Sequence, residues 1–169
     1  IAMVLLSAIL TDTVIMKSPT CTPVDVEQVN FLADKLGLSA VDFGMEIFRT
    51  RGGERTMPIV KLVEADSKEF KVSDDVTVLI AQRETVDLPT VMGREAEIRE
   101  HMRKLVDDNG YEFALLMATD ILAEGSQFIV EGDTARVNRV FDIECCEGGN
   151  WMPGVLSRKK QVAAPILAS

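Results

Sequence analysis

The order of elements along this chain predicts an α/β fold with a mixed sheet of about five strands flanked by helices. Strand candidates alternate with helical patterns through the second half of the chain, which is the signature of such a sheet. The run from Phe113 to Ala118 is apolar without interruption, as in a strand covered on both faces. With 47% apolar and 27% charged residues over 169 positions, the composition is that of an ordinary globular chain, one domain or one domain and a piece of another.

The chain opens on the apolar run Ile1 to Leu10. Apolar nearly all round, it predicts a helix enclosed on all sides. The run is far short of the roughly 20 residues that span a bilayer. It also has no basic flank and no small-residue cleavage site of a signal peptide. A chain that opens in mid-helix reads as a piece of a longer one.

Thr22-Pro23-Val24-Asp25 then reads as an N-cap, a proline at the first helical position and a reciprocating carboxylate. The helix it starts carries Val26, Val29, Leu32, Ala33 and Leu36 at helical spacing and stops at Gly37. Ser39 caps the next helix, with Val41, Met45 and Phe48 as its apolar stripe. Arg51-Gly52-Gly53-Glu54-Arg55 reads as a linker that offers nothing to a core.

Beyond it, a short helix near Pro58 to Glu64 precedes two strands, Glu69 to Val72 and Val76 to Arg83, joined by the turn Ser73-Asp74-Asp75. Pro89 to Asp108 reads as one long charged helix closed by Asn109-Gly110. After the buried strand come a strand at Gln127 to Val130, a helix ending near Phe141, and a last strand at Trp151 to Leu156. The basic tail enters a helix that Pro165 limits.

The net charge of −9 argues against a general nucleic-acid surface, since nothing would neutralise a run of phosphates. It leaves room for a small polyanion where a few cations converge. Three cysteines, two of them adjacent at Cys145 and Cys146, fit a reducing cytosol better than a disulfide framework.

Ser157-Arg158-Lys159-Lys160-Gln161 is the strongest local signal. A guanidinium fork beside ammonium groups suits phosphate oxygens, although a solubilising tail has the same pattern. Asp12 directly follows ten mostly apolar residues, close to a core, where an ionised carboxylate needs a partner or a metal; a turn aspartate is the competing reading. Lys68, at the mouth of a strand, is by itself indistinguishable from an exposed lysine. His101 lies among charged residues on what reads as a solvated helix face and receives no role. Asp120 reads as a structural cap. There is no Gly-rich phosphate loop, nucleophile elbow or zinc spacing.

Taken together, these segments resemble one family. Leu5-Leu6-Ser7-Ala8-Ile9-Leu10-Thr11-Asp12-Thr13, followed by Lys17-Ser18-Pro19-Thr20-Cys21-Thr22, is similar to the end of the DHH domain of manganese-dependent (family II) inorganic pyrophosphatases. Asp66-Ser67-Lys68-Glu69-Phe70, Ala118-Thr119-Asp120-Ile121-Leu122 and Pro153-Gly154-Val155-Leu156-Ser157-Arg158-Lys159-Lys160-Gln161-Val162 resemble landmarks of its DHHA2 domain. The resemblance implies that residues 1–51 are the helical end of a DHH domain, residues 52–56 a linker and residues 57–169 a DHHA2-like domain.

It further implies that Asp12 is a metal ligand and that Lys68, Arg158 and Lys159 bind diphosphate. The expected cofactor is Mn²⁺, with Mg²⁺ or Co²⁺ as substitutes, and its metals would activate a water for attack on phosphorus. The family pattern also implies a cytoplasmic homodimer with no nucleic-acid or membrane partner. The family's Asp-x-Asp and Asp-His-His ligands are absent from these residues, so the chain by itself is expected to turn over little. A non-catalytic anion-binding or dimerisation module with a DHHA2 fold, and an exopolyphosphatase of the same superfamily, are the alternatives.

Overall fold

A computed structural model describes residues 1–51 and 53–169, which fall into two compact units, Ile1–Gly52 and Gly53–Ser169. Gly52, the first residue of the expected 52–56 linker, lies outside the described residues.

The first unit holds α1 (Ala2–Asp12), α2 (Pro23–Leu36) and α3 (Ala40–Arg51). The start of α2 follows the sequence closely. Thr22 Oγ1 accepts from the Asp25 N–H at 3.3 Å and the Asp25 carboxylate accepts from the Thr22 N–H at 2.8 Å, so two otherwise orphaned donors are satisfied. The Thr22 hydroxyl, which donates to the same carboxylate at 2.7 Å, and after it the Thr22 N–H hold the Asp25 carboxyl below its ordinary value. Gly37 ends the helix at φ 65°, where a side chain would be strained.

The expectation that the opening helix is enclosed on all sides is not met. Leu6 and Leu10 are fully buried, whereas Ile1, Met3, Val4 and Leu5 are exposed. A helix is covered all round only by neighbours on every side, and in this unit α1 packs on α2 and α3 alone. The stripe of α3 is also displaced: Phe48 is buried but Val41 is exposed. Gly44 takes the inner position because a Cβ there would come within 2.9 Å of the Ile15 side chain.

After α1 the chain makes a left-handed turn. Val14, Ile15 and Met16 have φ of 49°, 54° and 63°, unusual for non-glycine residues and most of all for β-branched ones. Burial of Val14 and Ile15 offsets this strain, as do bonds from the Ile15 N–H to Leu10 O at 2.8 Å and from the Ser18 N–H to Thr13 O at 2.9 Å.

The second unit is a five-stranded mixed sheet in sequential order, β1 (Ser67–Lys71), β2 (Thr77–Thr85), β3 (Phe113–Asp120), β4 (Gly125–Gly132) and β5 (Asn150–Pro153). β2 and β3 are parallel and the other neighbours antiparallel. Between β2 and β3 the chain must cross over, and it does so through α5 (Leu88–Met92) and α6 (Glu95–Asn109). Side chains alternate across the pleat. Leu79, Ala81, Ala114, Leu116, Ala118 and Ile129 join one core with α4 (Ile59–Glu64), α5 and α6. Val78, Ile80, Phe113, Leu115, Met117 and Phe128 join the other with α7 (Ala135–Phe141) and α8 (Ala164–Leu167). Each large side chain buried this way contributes about 1.5–3 kcal/mol of hydrophobic free energy.

The expected long helix at Pro89 to Asp108 is broken at Gly93 and Arg94. Glycine weakens the helix there, and Arg94 Nη1 instead donates to the Glu54 and Met57 carbonyls at 2.6 and 2.7 Å. The segment after Gly53 does not remain in solvent either. Glu54 is buried and ion-paired with Arg83 at 3.0 Å. Pro165 does not limit the last helix. Arg158–Ala163 forms a wide π-helical turn that runs into α8; widening this turn relieves the crowding of the proline ring against the carbonyl four residues before it.

Candidate anion-binding site

On the face of the sheet that carries Val78, Ile80, Met117 and Phe128, the alternation continues into polar residues. Gln82 lies in the register of Met117, and Thr119 opposite Ser126, so Gln82, Thr119 and Ser126 extend the apolar face. All three are buried, and each must find hydrogen-bond partners.

They find them in the segment after β5. Gln82 Nε2 donates to Thr119 Oγ1 at 3.0 Å and to the Leu156 carbonyl at 3.1 Å, while its Oε1 accepts from the Arg158 N–H at 3.3 Å. Ser126 Oγ donates to the Val155 carbonyl at 2.6 Å. Its one proton being so used, the 2.8 Å contact between the two hydroxyls has Thr119 as donor. From the other side, Gln161 Oε1 accepts from the N–H groups of Leu156 and Ser157, both at 2.9 Å, and Nε2 donates to the Gly154 carbonyl at 2.9 Å. Ser157 Oγ accepts from the Lys160 N–H at 3.3 Å. Gly154, at φ 72°, supplies the turn that begins the segment.

This clasp presents Arg158, whose side chain is 19% exposed and lies 2.8 Å from the Asp66 carboxylate. Its Nη1 also donates to the Asp66 carbonyl. Asp66 leads directly into β1, where Lys68 stands two residues on. The structure therefore joins Arg158 to the segment that carries Lys68, although 92 residues separate Arg158 from Asp66. Lys68 is exposed, its Nζ 5.7 Å from the Phe70 ring, and Lys159 is exposed as well.

Asp12 stands in the other unit. Its carboxylate is exposed at the end of α1, not pressed against a core, and the Thr20 hydroxyl meets its carbonyl at 3.3 Å, not its carboxylate. Among the described residues no group of three or more His, Cys, Asp or Glu side chains is placed to hold a metal ion. One carboxylate falls short of a metal centre.

His101 is not on a solvated face. Its Nε2 lies 2.7 Å from Glu64 Oε1 and its side chain is 17% exposed. Nearby, the Tyr111 hydroxyl donates to Glu69 at 2.5 Å. Burial first, then that bond and the charges of Glu69 and Glu64, push the phenol up to about 12. Asp120 caps the turn after β3, accepting from the Leu122 and Ala123 N–H groups at 2.8 and 3.0 Å. Asp66, Gln82 and Ser126 were not anticipated from the sequence. The one available signal was a glutamine following Val78 to Ala81 in a strand otherwise fit for burial.

The DHHA2 domain family matches residues 45–169. The chain is 36% identical to the cobalt-dependent inorganic pyrophosphatase of Clostridium perfringens, over 96% of its own length and 30% of that protein. It is 35% identical to the manganese-dependent inorganic pyrophosphatase of Bacillus subtilis, over 99% of its length and 54% of that protein. A crystal structure from Methanococcus jannaschii, described as a family II inorganic pyrophosphatase, superposes with a TM-score of 0.88 at 33% identity, covering 99% of this chain and 54% of that one. The chain thus spans about half the length of most of the curated relatives it matches. On this evidence, joined to the mixed five-stranded sheet, the chain belongs to the DHHA2 domain family.

Proposed function

We propose that this chain is the substrate-binding C-terminal part of an inorganic pyrophosphatase, and that Arg158, Lys68 and Lys159 take the diphosphate. The observation that carries the reading is the attachment of Arg158 to Asp66 at the start of β1, which links two basic segments far apart in sequence. Diphosphate hydrolysis builds negative charge on the transferred phosphoryl group and on the leaving phosphate, and fixed cations stabilise both. Arg158 suits the role of a bidentate clamp, with Lys68 and Lys159 as point charges.

The Asp66 carboxylate occupies the guanidinium in this structure, so an incoming anion must share or displace it. The relatives are named for manganese or cobalt. The described residues do not assemble a metal centre; what they offer the substrate is charge and orientation. Residues 1–51 are read as the end of a DHH domain, with Asp12 contributing one carboxylate to a metal site completed by residues other than these. No helix among the described residues is long and apolar enough to cross a membrane, and free Cys21, Cys145 and Cys146 support a cytosolic setting.

The test is diphosphate binding by this chain, together with phosphate release, with and without Mn²⁺, by the chain and by the complete gene product. The expected result is binding by the chain and hydrolysis by the complete protein. Arg158→Ala should lower turnover of the complete protein by orders of magnitude, since electrostatic stabilisation of this kind is worth about 3 kcal/mol or more. Wild-type rates in that variant would overturn the assignment. A complete protein that binds diphosphate without releasing phosphate would point to a non-catalytic module, and a preference for tripolyphosphate to an exopolyphosphatase.

A further inference from the structure

We propose that Gln82, acting with Gln161, is a positioning residue that holds Arg158 in the pose required to grip the anion. The inference rests on the reading above and deepens it. Neither amide touches the expected site of the anion. Both act on the backbone that carries Arg158.

A glutamine in a buried strand is costly unless all its polar atoms are matched. Gln82 makes two of its three bonds with the segment that leads into Arg158, at the Leu156 carbonyl and the Arg158 N–H, and the third with Thr119 as a brace within the sheet. Gln161 grips the same segment from the opposite side at Gly154, Leu156 and Ser157. Leu156 is therefore held by one glutamine through its carbonyl and by the other through its N–H. Val155 and Leu156 anchor this stretch to the sheet unit, but apolar contacts are non-directional, so without the two amides its backbone would be free to slide after the glycine turn. Shifting it moves the base of the Arg158 side chain, and a guanidinium fork misplaced by a fraction of its own length no longer meets two oxygens at once.

The physical role differs from ordinary core stability. An apolar side chain of similar volume at position 82 would fill the space and keep the sheet packed, yet release the Leu156 carbonyl and the Arg158 N–H. Affinity should then fall while the fold survives.

The experiment measures diphosphate affinity of this chain by calorimetry, and the Arg158 amide by nitrogen-15 NMR. It compares the wild type, Gln82→Leu, Arg158→Ala, the double variant, and Phe113→Leu as a core control at the opposite end of β3. Gln82→Leu is expected to weaken diphosphate binding roughly tenfold or more, to shift the Arg158 amide resonance, and to add nothing further in the Arg158→Ala background. Phe113→Leu should lower the melting temperature without moving affinity.

Wild-type affinity in a folded Gln82→Leu, or a loss that adds fully to that of Arg158→Ala, would refute the positioning role while leaving the diphosphate reading intact. A wild-type chain that binds no diphosphate would sink both. If Gln82→Leu does not fold, Gln161→Met, which releases the same segment from the helical side, is judged by the same criteria.

Discussion

In the sheet unit, seven consecutive residues of β3 are buried. In the helical unit, α1 is just as apolar yet buries only Leu6 and Leu10 fully. The two runs look alike as composition and end in different surroundings. β3 has a helical layer on each face and a strand on each edge. α1 has helical neighbours in its own unit, α2 and α3, and presents Met3, Val4 and Leu5 outward. An apolar run thus reports a demand for cover, and the neighbours decide whether the demand is met.

The sharpest way to break this contrast is truncation at its buried extreme. Phe113→Ala should cost about 3–5 kcal/mol, the usual range for emptying a packed aromatic site, measured by denaturant unfolding. A cost below 1 kcal/mol would mean that β3 is not the centre of the sheet unit.

Thr22→Ala comes next. It removes the cap of α2 and should destabilise the helical unit by about 1 kcal/mol, with little change in the sheet unit if the two unfold separately. Coincident losses in both would show a single cooperative system.

A smaller effect belongs to pH. Because Tyr111 is raised from 10.0 to about 12 in the folded chain, the folded state keeps a proton that the unfolded state loses between these values. Its contribution is complete below pH 10 and is lost as the pH rises through about 12. Melting temperature should therefore decline less steeply across that window in Tyr111→Phe than in the wild type. Equal slopes would discount the raised Tyr111 phenol, whose first cause is burial and second the bond to Glu69.

The smallest expected effect is at the exposed extreme. Val4 is 70% exposed, so Val4→Ser should change stability by no more than about 0.5 kcal/mol. What it should reduce is self-association at high concentration, read by sedimentation, because it interrupts an exposed apolar patch. A Val4→Ser variant as destabilised as Phe113→Ala would mean that the outer face of α1 is covered after all.

Strand and helix signals were legible wherever they were local. Ser73-Asp74-Asp75 separates β1 from β2 as expected, and Gly110 closes α6 at φ 69°. The break at Gly93 was not legible, because what draws Arg94 out of a continuous helix is a pair of carbonyls 40 and 37 residues earlier. Of the candidate site, Arg158, Lys159 and Lys68 stood out through motif and charge. Their support did not. Gln82 reads as a blemish in an apolar strand until its partners 74 and 76 residues away come into view. The setting of His101 is illegible for the same reason, its partner Glu64 lying on another helix.

By itself, then, the sequence determined the α/β class, the number of strands, the cap and stop of α2, and the family to which the chain belongs. Each follows from a preference of a few adjacent residues or from an ordered set of short motifs. Only the tertiary structure decided that Glu54 is buried against Arg83, that α1 is left half uncovered, and that two glutamines clasp the segment leading to Arg158. Satisfying a buried polar atom, or covering an apolar face, depends on which distant residues the fold brings alongside it, and no short window of sequence contains them.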